Sequence, residues 1–379
     1  CTGTLHGDPG SDESLALMNG WIDDCQRCHQ LCRVNPQQVG GPKRLLQCLS
    51  DGSVRLVDTQ SIPQRCDYIA LSYCWGDGTA VKKTTEKTLD RHQSGIPNDD
   101  LPRLFREVAA LARGLNINYL WIDALCIVQD SKEDNDKKDQ IMHMSNIFRR
   151  ALVVVVAASA ESPIDSLLRV KPQSGQSHTW RTASLIRYEE VDLDVKFRKR
   201  DPGAHLFTDA TKSTPVGQRA WCFQDRAMAS RCLIFRDDEV VWECRSCCLC
   251  ECGSTTRRPY RRPYRKMLPT FAEFAPFQLD GILPYYADAE AAYSFWETAV
   301  NNYSGRALTF ETDRLPAISA VASIVAKSTG DRYLAGLWRD DLLAGLSWSP
   351  RLWSSGLGPY QKYIAPTWSW ASLPAGVSY

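Results

Sequence analysis

Three strand-like segments alternate with two helix-like segments between residues 67 and 159, and this order restricts the fold more than any other feature. The strand-like segments are DYIALSYCW, YLWIDALCIV and LVVVVAAS, of which the last is almost wholly apolar. Between them lie an amphipathic segment, DDLPRLFREVAALARGLN, and a segment that is acidic at its start and basic at its end, KEDNDKKDQIMHMSNIFRRA. This order predicts a parallel, doubly wound sheet with covered central strands, and therefore an α/β fold.

Polar and reactive side chains follow each of the three strands. Ligands bind beyond the carboxyl ends of the strands of an open parallel sheet, so we expect these residues to meet at one edge. The catalytic candidates are Cys74, Asp123 and Cys126, as nucleophile or acid/base groups. The substrate-binding candidates are Ser72, Tyr73, Trp75, Asp77, Gln129, Asp130 and Ser159. Taken singly, Asp123 and Ser159 can equally cap helices, and Trp75 can fill a core.

The segment RAWCFQDRAMASR adds four further candidates. Gln224 and Asp225 are the catalytic ones, and Trp221 and Arg231 are the substrate-binding ones. An amide, a carboxylate and a guanidinium at helical spacing predict a polar cluster. The alternative is a structural ion pair that ties this helix to the core.

Two cysteine clusters have the spacing of metal ligands, CQRCHQLC and CRSCCLCEC. Thiolates and imidazole are zinc ligands, and Cys-x-x-Cys is a usual spacing. The residues proposed as ligands of a structural zinc ion are Cys25, His29, Cys32, Cys250 and Cys252. Small buried thiols are also common core residues, which is the alternative interpretation.

Composition narrows the class of protein. A net charge of +1 over 379 residues gives no reason to expect nucleic acid or an acidic membrane as a partner. The longest apolar run, ALVVVVAASA, is too short to span a bilayer. Fifteen cysteines, an odd number without a secretory signal pattern, predict mostly free thiols in the cytoplasm. The sequence contains no dinucleotide-binding glycine motif, no Walker loop, no nucleophile elbow and no His-Glu-x-x-His.

The rest of the chain divides into three further regions. Residues 1–60 are predicted to hold a helix and a hairpin, and residues 61–165 the α/β core. Residues 166–255 include a short helix and a cysteine-rich hairpin that turns at Asp237 and Asp238. Residues 256–379 form a Trp-rich α+β part, for which large aromatic anchors indicate a packed layer.

Several motifs, in this order, resemble a known family. They are YIALSYCWG, NYLWIDALCIVQDSKED, MSNIFRRALVVVVAAS, RAWCFQDRAMASRCLIF and VVWEC. They are similar to the motifs of the fungal heterokaryon incompatibility (HET) domain. The later segments YSGRALTFETDRLPAISAVA, DRYLAGLW and APTWSWAS, and the early WIDDCQRCHQLC, also resemble regions of that family.

The resemblance implies a fungal, intracellular protein of non-self recognition and programmed cell death. It also implies a TIR-like, flavodoxin-like parallel-sheet core with an N-terminal helix and a large α+β C-terminal part. Some TIR domains cleave NAD, so the resemblance implies NAD as a possible substrate. Its expected partners are a small-molecule ligand and further copies of the chain or other fungal incompatibility proteins, without nucleic acid or membrane.

The chain departs from the family pattern at two places. The family often has Trp and then Glu on the helix after the second strand, where this chain has Asn135 and Gln140. The Glu of the family's Leu-Gln-Glu corresponds to Asp225, whose shorter side chain shifts a carboxylate by about one methylene. An alternative function is therefore a cyclase, lyase or hydrolase of fungal specialised metabolism that uses the same edge. A non-catalytic interaction module is a third hypothesis.

Overall fold

The computed structural model describes residues 9–34, 40–62, 66–131, 135–168, 181–188, 191–197, 214–237, 239–251, 289–351, 360 and 362–379. Cys252, Asp238 and the basic repeat RRPYRRPYRK lie outside these ranges. The structural statements below concern the described residues.

The chain forms ten α-helices and fourteen strands within these ranges. The helices are α1 (Asp12–Cys28), α2 (Leu89–Ser94), α3 (Arg103–Gly114), α4 (Asp123–Cys126), α5 (Asn135–Arg150), α6 (Pro215–Gln218), α7 (Ala220–Met228), α8 (Ala289–Tyr303), α9 (Ser319–Thr329) and α10 (Leu342–Gly345). The strands are β1 (Arg44–Cys48), β2 (Val54–Asp58), β3 (Tyr68–Ser72), β4 (Tyr119–Trp121), β5 (Val153–Ala157), β6 (Arg181–Tyr188), β7 (Val191–Phe197), β8 (Arg231–Phe235), β9 (Val240–Cys244), β10 (Cys248–Cys250), β11 (Tyr333–Leu334), β12 (Leu337–Trp338), β13 (Ser349–Pro350) and β14 (Val377–Ser378). Short 3-10 turns lie at Gln30–Cys32, Thr59–Ser61, Asn98–Asp100, Glu311–Asp313, Pro316–Ile318 and Trp370–Ser372.

One eight-stranded sheet forms the centre, in the order β10-β9-β8-β5-β3-β4-β1-β2. The adjacent strands β4, β3, β5 and β8 run parallel, and the remaining pairs at both edges are antiparallel. Strands β3 and β5 are buried at every position, as the apolar sequences predict. The α/β fold is therefore confirmed, with a mixed sheet whose parallel strands lie at its centre.

Two predicted elements end earlier than their sequences suggest. Strand β4 stops at Trp121 because Asp123 begins a helical turn, where its Oδ1 accepts a hydrogen bond from the N–H of Ala124 at 2.7 Å. Helix α1 ends at Cys28, because His29 is extended (φ −100°, ψ 93°). The chain continues as the 3-10 turn Gln30–Cys32, so Cys25, His29 and Cys32 do not share the face of one continuous helix.

Helix α3 has the predicted apolar stripe. Its buried residues are Leu104, Phe105, Val108, Ala109, Leu111 and Ala112. Charged residues cover the opposite side of this helix, and Arg103 pairs with Glu107 one turn later. The amphipathic pattern therefore positions α3 as the crossover between the parallel strands β3 and β4.

Tryptophans organise the C-terminal part. The side chains of Trp296, Trp338 and Trp370 are all 2% exposed or less. The indole N–H groups of Trp296 and Trp370 both donate to the carbonyl oxygen of Gly336, each at 2.9 Å. Gly336 has φ +103°, and a Cβ there would lie 2.7 Å from Nε1 of Trp370. The packing of these tryptophans therefore requires glycine at position 336.

We expect Gly336→Ala to destabilise the protein by about 1–3 kcal/mol, because the new methyl group clashes with Trp370 in a backbone conformation that favours glycine. Chemical denaturation measures the change. The matched control is Gly20→Ala in α1, where a Cβ meets nothing within 4 Å. That change is expected to stabilise the helix by about 0.5–1 kcal/mol. Equal effects of the two substitutions would contradict the role of Gly336.

No helix of the described part of the chain combines the length and apolar character needed to cross a membrane.

Candidate functional site

Polar groups meet where the parallel strands β3 and β4 end. Ser72, the last residue of β3, donates from Oγ to Oδ2 of Asp225 at 2.8 Å. Trp75 donates its indole N–H to Oδ2 of Asp123 at 2.9 Å. We call this group the strand-end cluster, and its members are Ser72, Tyr73, Cys74, Trp75, Asp123, Arg219, Cys222 and Asp225. The parallel register of β3 with β4 and β5 is what brings the strand ends to one edge.

Two carboxyl groups of the cluster have raised pKa values. Burial, helped by the nearby Asp123 charge, raises the pKa of Asp225 to about 8, while the hydrogen bond from Ser72 and the Arg219 charge act in the opposite direction. Burial also raises the pKa of Asp123, although Tyr73, the Ala124 N–H and Trp75 favour its charged form. Asp225 is therefore mostly protonated at neutral pH. A protonated carboxyl group beside a second carboxyl group is an arrangement suited to acid/base chemistry.

Two buried polar atoms of the cluster have no hydrogen-bond partner among the described residues, Oη of Tyr73 and Oδ1 of Asp225. Both side chains are more than nine-tenths buried. The Tyr73 hydroxyl lies near the Asp123 carboxylate without a hydrogen bond of good geometry, and burial raises the pKa of Tyr73. Unsatisfied buried groups are costly, so these two atoms mark a place where a polar ligand would gain bonds.

Arg219 belongs to the cluster, although we did not single it out from the sequence. It is the residue before α7, and its extended backbone lies in a parallel bridge with Ala307. Its guanidinium acts against the raised pKa of both Asp123 and Asp225, and it lowers the pKa of the Cys74 thiol. The sequence feature that could have pointed to Arg219 is its place as the first residue of the RAWCFQD motif. The sequence alone does not show that its side chain faces the strand ends.

The predicted nucleophilic thiols differ in their surroundings. Cys74 lies in the cluster, where burial raises the pKa of its thiol and Arg219 lowers it. Cys126 points away, with its Sγ 3.9 Å from the carbonyl oxygen of Leu120, and burial raises its pKa to about 12. Cys222, which sequence reasoning did not select, contacts the carbonyl oxygen of Tyr73 at 3.7 Å. A thiolate nucleophile therefore finds more favourable surroundings at Cys74 than at Cys126.

Four other predicted binding residues lie in the loops around the cluster. Asp77 is exposed and accepts bonds from the N–H and Oγ1 of Thr79, as in an Asx turn. Gln129 donates to the carbonyl oxygens of Asp123 and Ile127, and Asp130 accepts from the N–H of Glu86. Ser159 is half-buried two residues past the end of β5.

The loop after β5 lies against the loop after β3. Gly76 has φ +64°, and a Cβ on it would lie 3.0 Å from the Cβ of Ser162. Asp165 accepts the N–H groups of Glu161 and Ser162, which holds this loop in place. Glycine at position 76 therefore permits both the left-handed turn and the close approach of the two loops.

Three of the predicted site residues, Trp221, Gln224 and Arg231, make contacts elsewhere. Gln224 accepts a hydrogen bond from the N–H of Ala320 at the start of α9, and Trp221 donates to Asp313. Both bonds join α7 to the C-terminal part. Gln140, at the place of the family's Glu, is buried and accepts from the N–H of Lys43. Arg231 lies in the second group of candidate residues, around the cysteines.

A cluster of three thiols and one imidazole lies at the other candidate site. Its members are Cys25, His29, Cys32 and Cys244, whose possible ligand atoms all lie within 4.8 Å of one another. We call it the Cys/His cluster, and it could hold a metal ion. The Sγ atoms of Cys244 and Cys247 are 3.6 Å apart. Hydrogen bonds from the Cys247 thiol, and then from those of Cys25 and Cys32, lower the pKa of Cys244.

The predicted ligand set needs one correction. Cys250 lies opposite Val241 in the β9–β10 hairpin, three residues along β9 from Cys244. At about 3.3 Å per residue, that register separates it from the cluster by roughly 10 Å. Cys244 therefore takes the place given to Cys250, and Cys252 lies outside the described residues.

A separate cavity of about 160 Å³ lies at the opposite end of β3, beside its first residue, Tyr68. Leu45, Ile62 and Arg150 also line it. Ligand pockets usually measure about 300–1,000 Å³, so this cavity is too small for a dinucleotide.

Comparison with known proteins finds a family match for the segment that contains the strand-end cluster. The family model described as heterokaryon incompatibility protein (HET) matches residues 68–225. The chain is also similar to heterokaryon incompatibility protein 6, OR allele, of Neurospora crassa, with 33% identity over 115 residues. That match covers 29% of this chain and 17% of the relative's length. No solved structure matches the chain. Every residue of the strand-end cluster lies within residues 68–225, the segment that matches the heterokaryon incompatibility family model.

Proposed function

We propose that this protein acts in fungal heterokaryon incompatibility as a cell-death effector, and that its strand-end cluster cleaves NAD at the bond to nicotinamide. The observation that carries the proposal is the pair of carboxyl groups, Asp123 and Asp225, at the carboxyl ends of parallel strands. The parallel strands have the order β4-β3-β5-β8, which corresponds to four strands of the flavodoxin-like order 2-1-3-4-5 and supports the proposal. In such sheets the ligand lies where the strand order reverses, here between β3 and β5.

The two carboxyl groups have different tasks in this proposal. Asp123, in its ionised form, holds a ribose hydroxyl and stabilises the positive charge that develops on the ribose. Asp225, protonated at neutral pH, donates a hydrogen bond to a ribose oxygen. The Tyr73 hydroxyl, which has no partner among the described residues, supplies a further donor. These donors lie in a buried site, where electrostatic interactions are stronger than in water.

Positive charge near the cluster fits the diphosphate of a dinucleotide. Arg219 lies within electrostatic range of both carboxyl groups, and the Lys83 ammonium lies 5.2 Å from the centroid of the Trp75 ring. Guanidinium groups bind phosphate with two parallel hydrogen bonds. Trp75, half-buried at the mouth of the site, offers an aromatic surface for a nicotinamide or adenine ring.

The reaction needs no cofactor. The bond between ribose C1′ and the nicotinamide nitrogen breaks, and its electron pair leaves on the nitrogen, which neutralises the pyridinium charge. Water then attacks C1′, and its proton passes to the Asp123 carboxylate. The products are nicotinamide and ADP-ribose.

Asp123→Asn is the direct test of this proposal. We expect the variant to lose NAD cleavage by roughly 100-fold or more, because the amide cannot accept the water's proton or balance the ribose charge. Nicotinamide release from NAD by the purified chain, followed by chromatography, measures the rate. The control is Asp99→Asn, whose side chain is 98% exposed, so it removes one charge without touching the cluster. The proposal fails if the unmodified chain leaves NAD intact while an active TIR domain consumes it.

The pH profile is a second test. Cleavage needs Asp123 ionised and Asp225 protonated, so we expect a bell-shaped rate with an alkaline limb near pH 8. In Asp225→Asn this limb should disappear, because the amide does not lose a proton. An alkaline limb that persists unchanged in the variant would assign it to another group.

A second candidate function is acid/base catalysis on a metabolite of fungal specialised metabolism. The observation in its favour is the raised pKa of Asp225, because a general acid works best with a pKa near the working pH. Breaking the nicotinamide bond does not require a general acid, whereas cyclases and lyases often do. Metabolite comparison of a deletion strain distinguishes the two functions, since a lost product with normal fusion-triggered death favours the metabolic enzyme.

A further inference from the structure

We propose that the Cys/His cluster binds one zinc ion in a closed, structural site that joins the N-terminal helix to the central sheet. This site lies outside residues 68–225 and is independent of the strand-end cluster. Three of its members come from α1 and the turn that follows it, and the fourth, Cys244, ends β9.

The donor set and its spacing fit tetrahedral zinc. Three cysteines and one histidine are a common ligand set of structural zinc sites. In such a site a sulfur and a nitrogen ligand lie about 3.5 Å apart, as follows from their usual bond lengths to zinc. Sγ of Cys244 and Nδ1 of His29 are 3.4 Å apart. Although α1 ends at Cys28 and His29 is extended, the possible ligand atoms of Cys25, His29 and Cys32 still lie within 4.8 Å of one another.

A buried arginine supplies an independent argument. Arg231 is 6% exposed and donates from Nε to the Sγ of Cys25 at 3.1 Å. Its other hydrogen bonds go to the carbonyl oxygens of Leu152 and Cys32, and within the described ranges it forms no ion pair with a carboxylate. A buried cation without a counter-charge is costly. Zinc with three thiolates carries a net charge of −1, so the loaded site is the missing partner of Arg231.

The site is structural rather than catalytic. The chain fills all four ligand positions, and Cys25, Cys32 and Cys244 are buried, so no position remains open for water or substrate. The ion would tie segments that are about 215 residues apart in the chain. Arg231 acts as a positioning residue for the Cys25 thiolate and does not touch the ion.

Metal content of the purified chain tests the ligands. We expect one zinc ion per chain in elemental analysis, and less than a tenth of that in Cys244→Ser. The matched control is Cys48→Ser, a half-buried thiol on β1 outside the cluster, which should retain the full zinc content. Unmodified chain without bound zinc after expression with added zinc, or Cys244→Ser with full zinc content, would overturn the site.

Cobalt replacement keeps the test valid if Cys244→Ser does not fold. Cobalt(II) bound to thiolates has a charge-transfer absorption whose intensity follows the number of sulfur ligands. We expect His29→Cys to bind cobalt with an intensity about one third higher, as a fourth thiolate joins three. An unchanged intensity in this variant would exclude His29 from the ligand set.

Variants of Arg231 test its role as the positive charge that balances the zinc site. We expect Arg231→Met to lose zinc to a chelator roughly 10-fold faster or more, the usual scale for groups that support metal ligands. Arg231→Lys, which keeps the charge, should lose zinc at a rate closer to that of the unmodified chain. Equal rates for the Met variant and the unmodified chain would contradict the counter-charge role.

Discussion

Asp225→Asn is expected to be more stable than the unmodified chain at pH 7.5, and the difference should grow by about 1.4 kcal/mol for each pH unit between pH 5 and 7.5. The cause is the carboxyl group of Asp225, because burial raises its pKa to about 8. Asparagine has the shape of the protonated acid and can still accept the hydrogen bond from Ser72. Urea-induced unfolding at a series of pH values measures the difference.

The sign follows from the protons bound in each state. Below pH 4 both the folded and the unfolded chain keep the Asp225 proton. Between pH 4 and 8 the unfolded chain releases it while the folded chain retains it, so the stability of the unmodified chain falls as the pH rises. Above pH 8 both states are ionised and the deficit stays constant.

Asp99→Asn controls for the loss of one charge, since its carboxylate lies in solvent. A pH-independent difference between Asp225→Asn and the unmodified chain would show that Asp225 is ionised in the folded state. In that case the alkaline limb of the proposed pH profile would lose its basis. The expected gain in stability would instead show that the buried polar site of the unmodified chain costs it stability.

Glu243→Gln is expected to lower the free energy of unfolding by about 3–5 kcal/mol, because it removes the carboxylate charge that pairs with the buried Arg226 guanidinium. Nε and the Nη2 nitrogen of Arg226 lie 2.7 and 2.9 Å from the two carboxylate oxygens of Glu243. Both side chains are less than a tenth exposed. The pair joins α7, which carries Asp225, to β9, which carries Cys244.

The control is the exposed pair Arg27–Asp24, with side chains 72% and 55% exposed. Asp24→Asn should change the stability by less than about 1 kcal/mol, as for most surface pairs. Replacing both buried partners by apolar residues, Arg226→Met with Glu243→Leu, should restore most of the loss. A small effect of Glu243→Gln alone would show that water reaches this pair.

The central fold could be predicted from the sequence because its signals are local. The apolar run of β5 and the amphipathic spacing of α3 determine which faces are buried, and neither needs a distant partner. The order of these elements then restricts the sheet to parallel central strands. For the same reason Cys74, Trp75 and Asp123 could be predicted at one edge, since each follows a parallel strand.

The composition of each candidate site needed the tertiary structure. Ser72 and Asp225 meet over a separation of 153 residues, and Arg231 reaches Cys25 over 206 residues. Arg231 was grouped with Asp225 because they are near in sequence, yet the short helix α7 ends between them and their side chains serve different clusters. The hairpin register, rather than the Cys-x-x-Cys spacing, selected Cys244 over Cys250.

The sequence by itself determined the α/β class, the parallel centre and the loops that carry the reactive residues, because the periodicity of apolar residues identifies the buried face of each element. The tertiary structure decided which side chains share a site, and with it the raised pKa of Asp225 and the partner of Arg231. Burial and charge depend on every element packed around a group, and those elements are far apart in the chain.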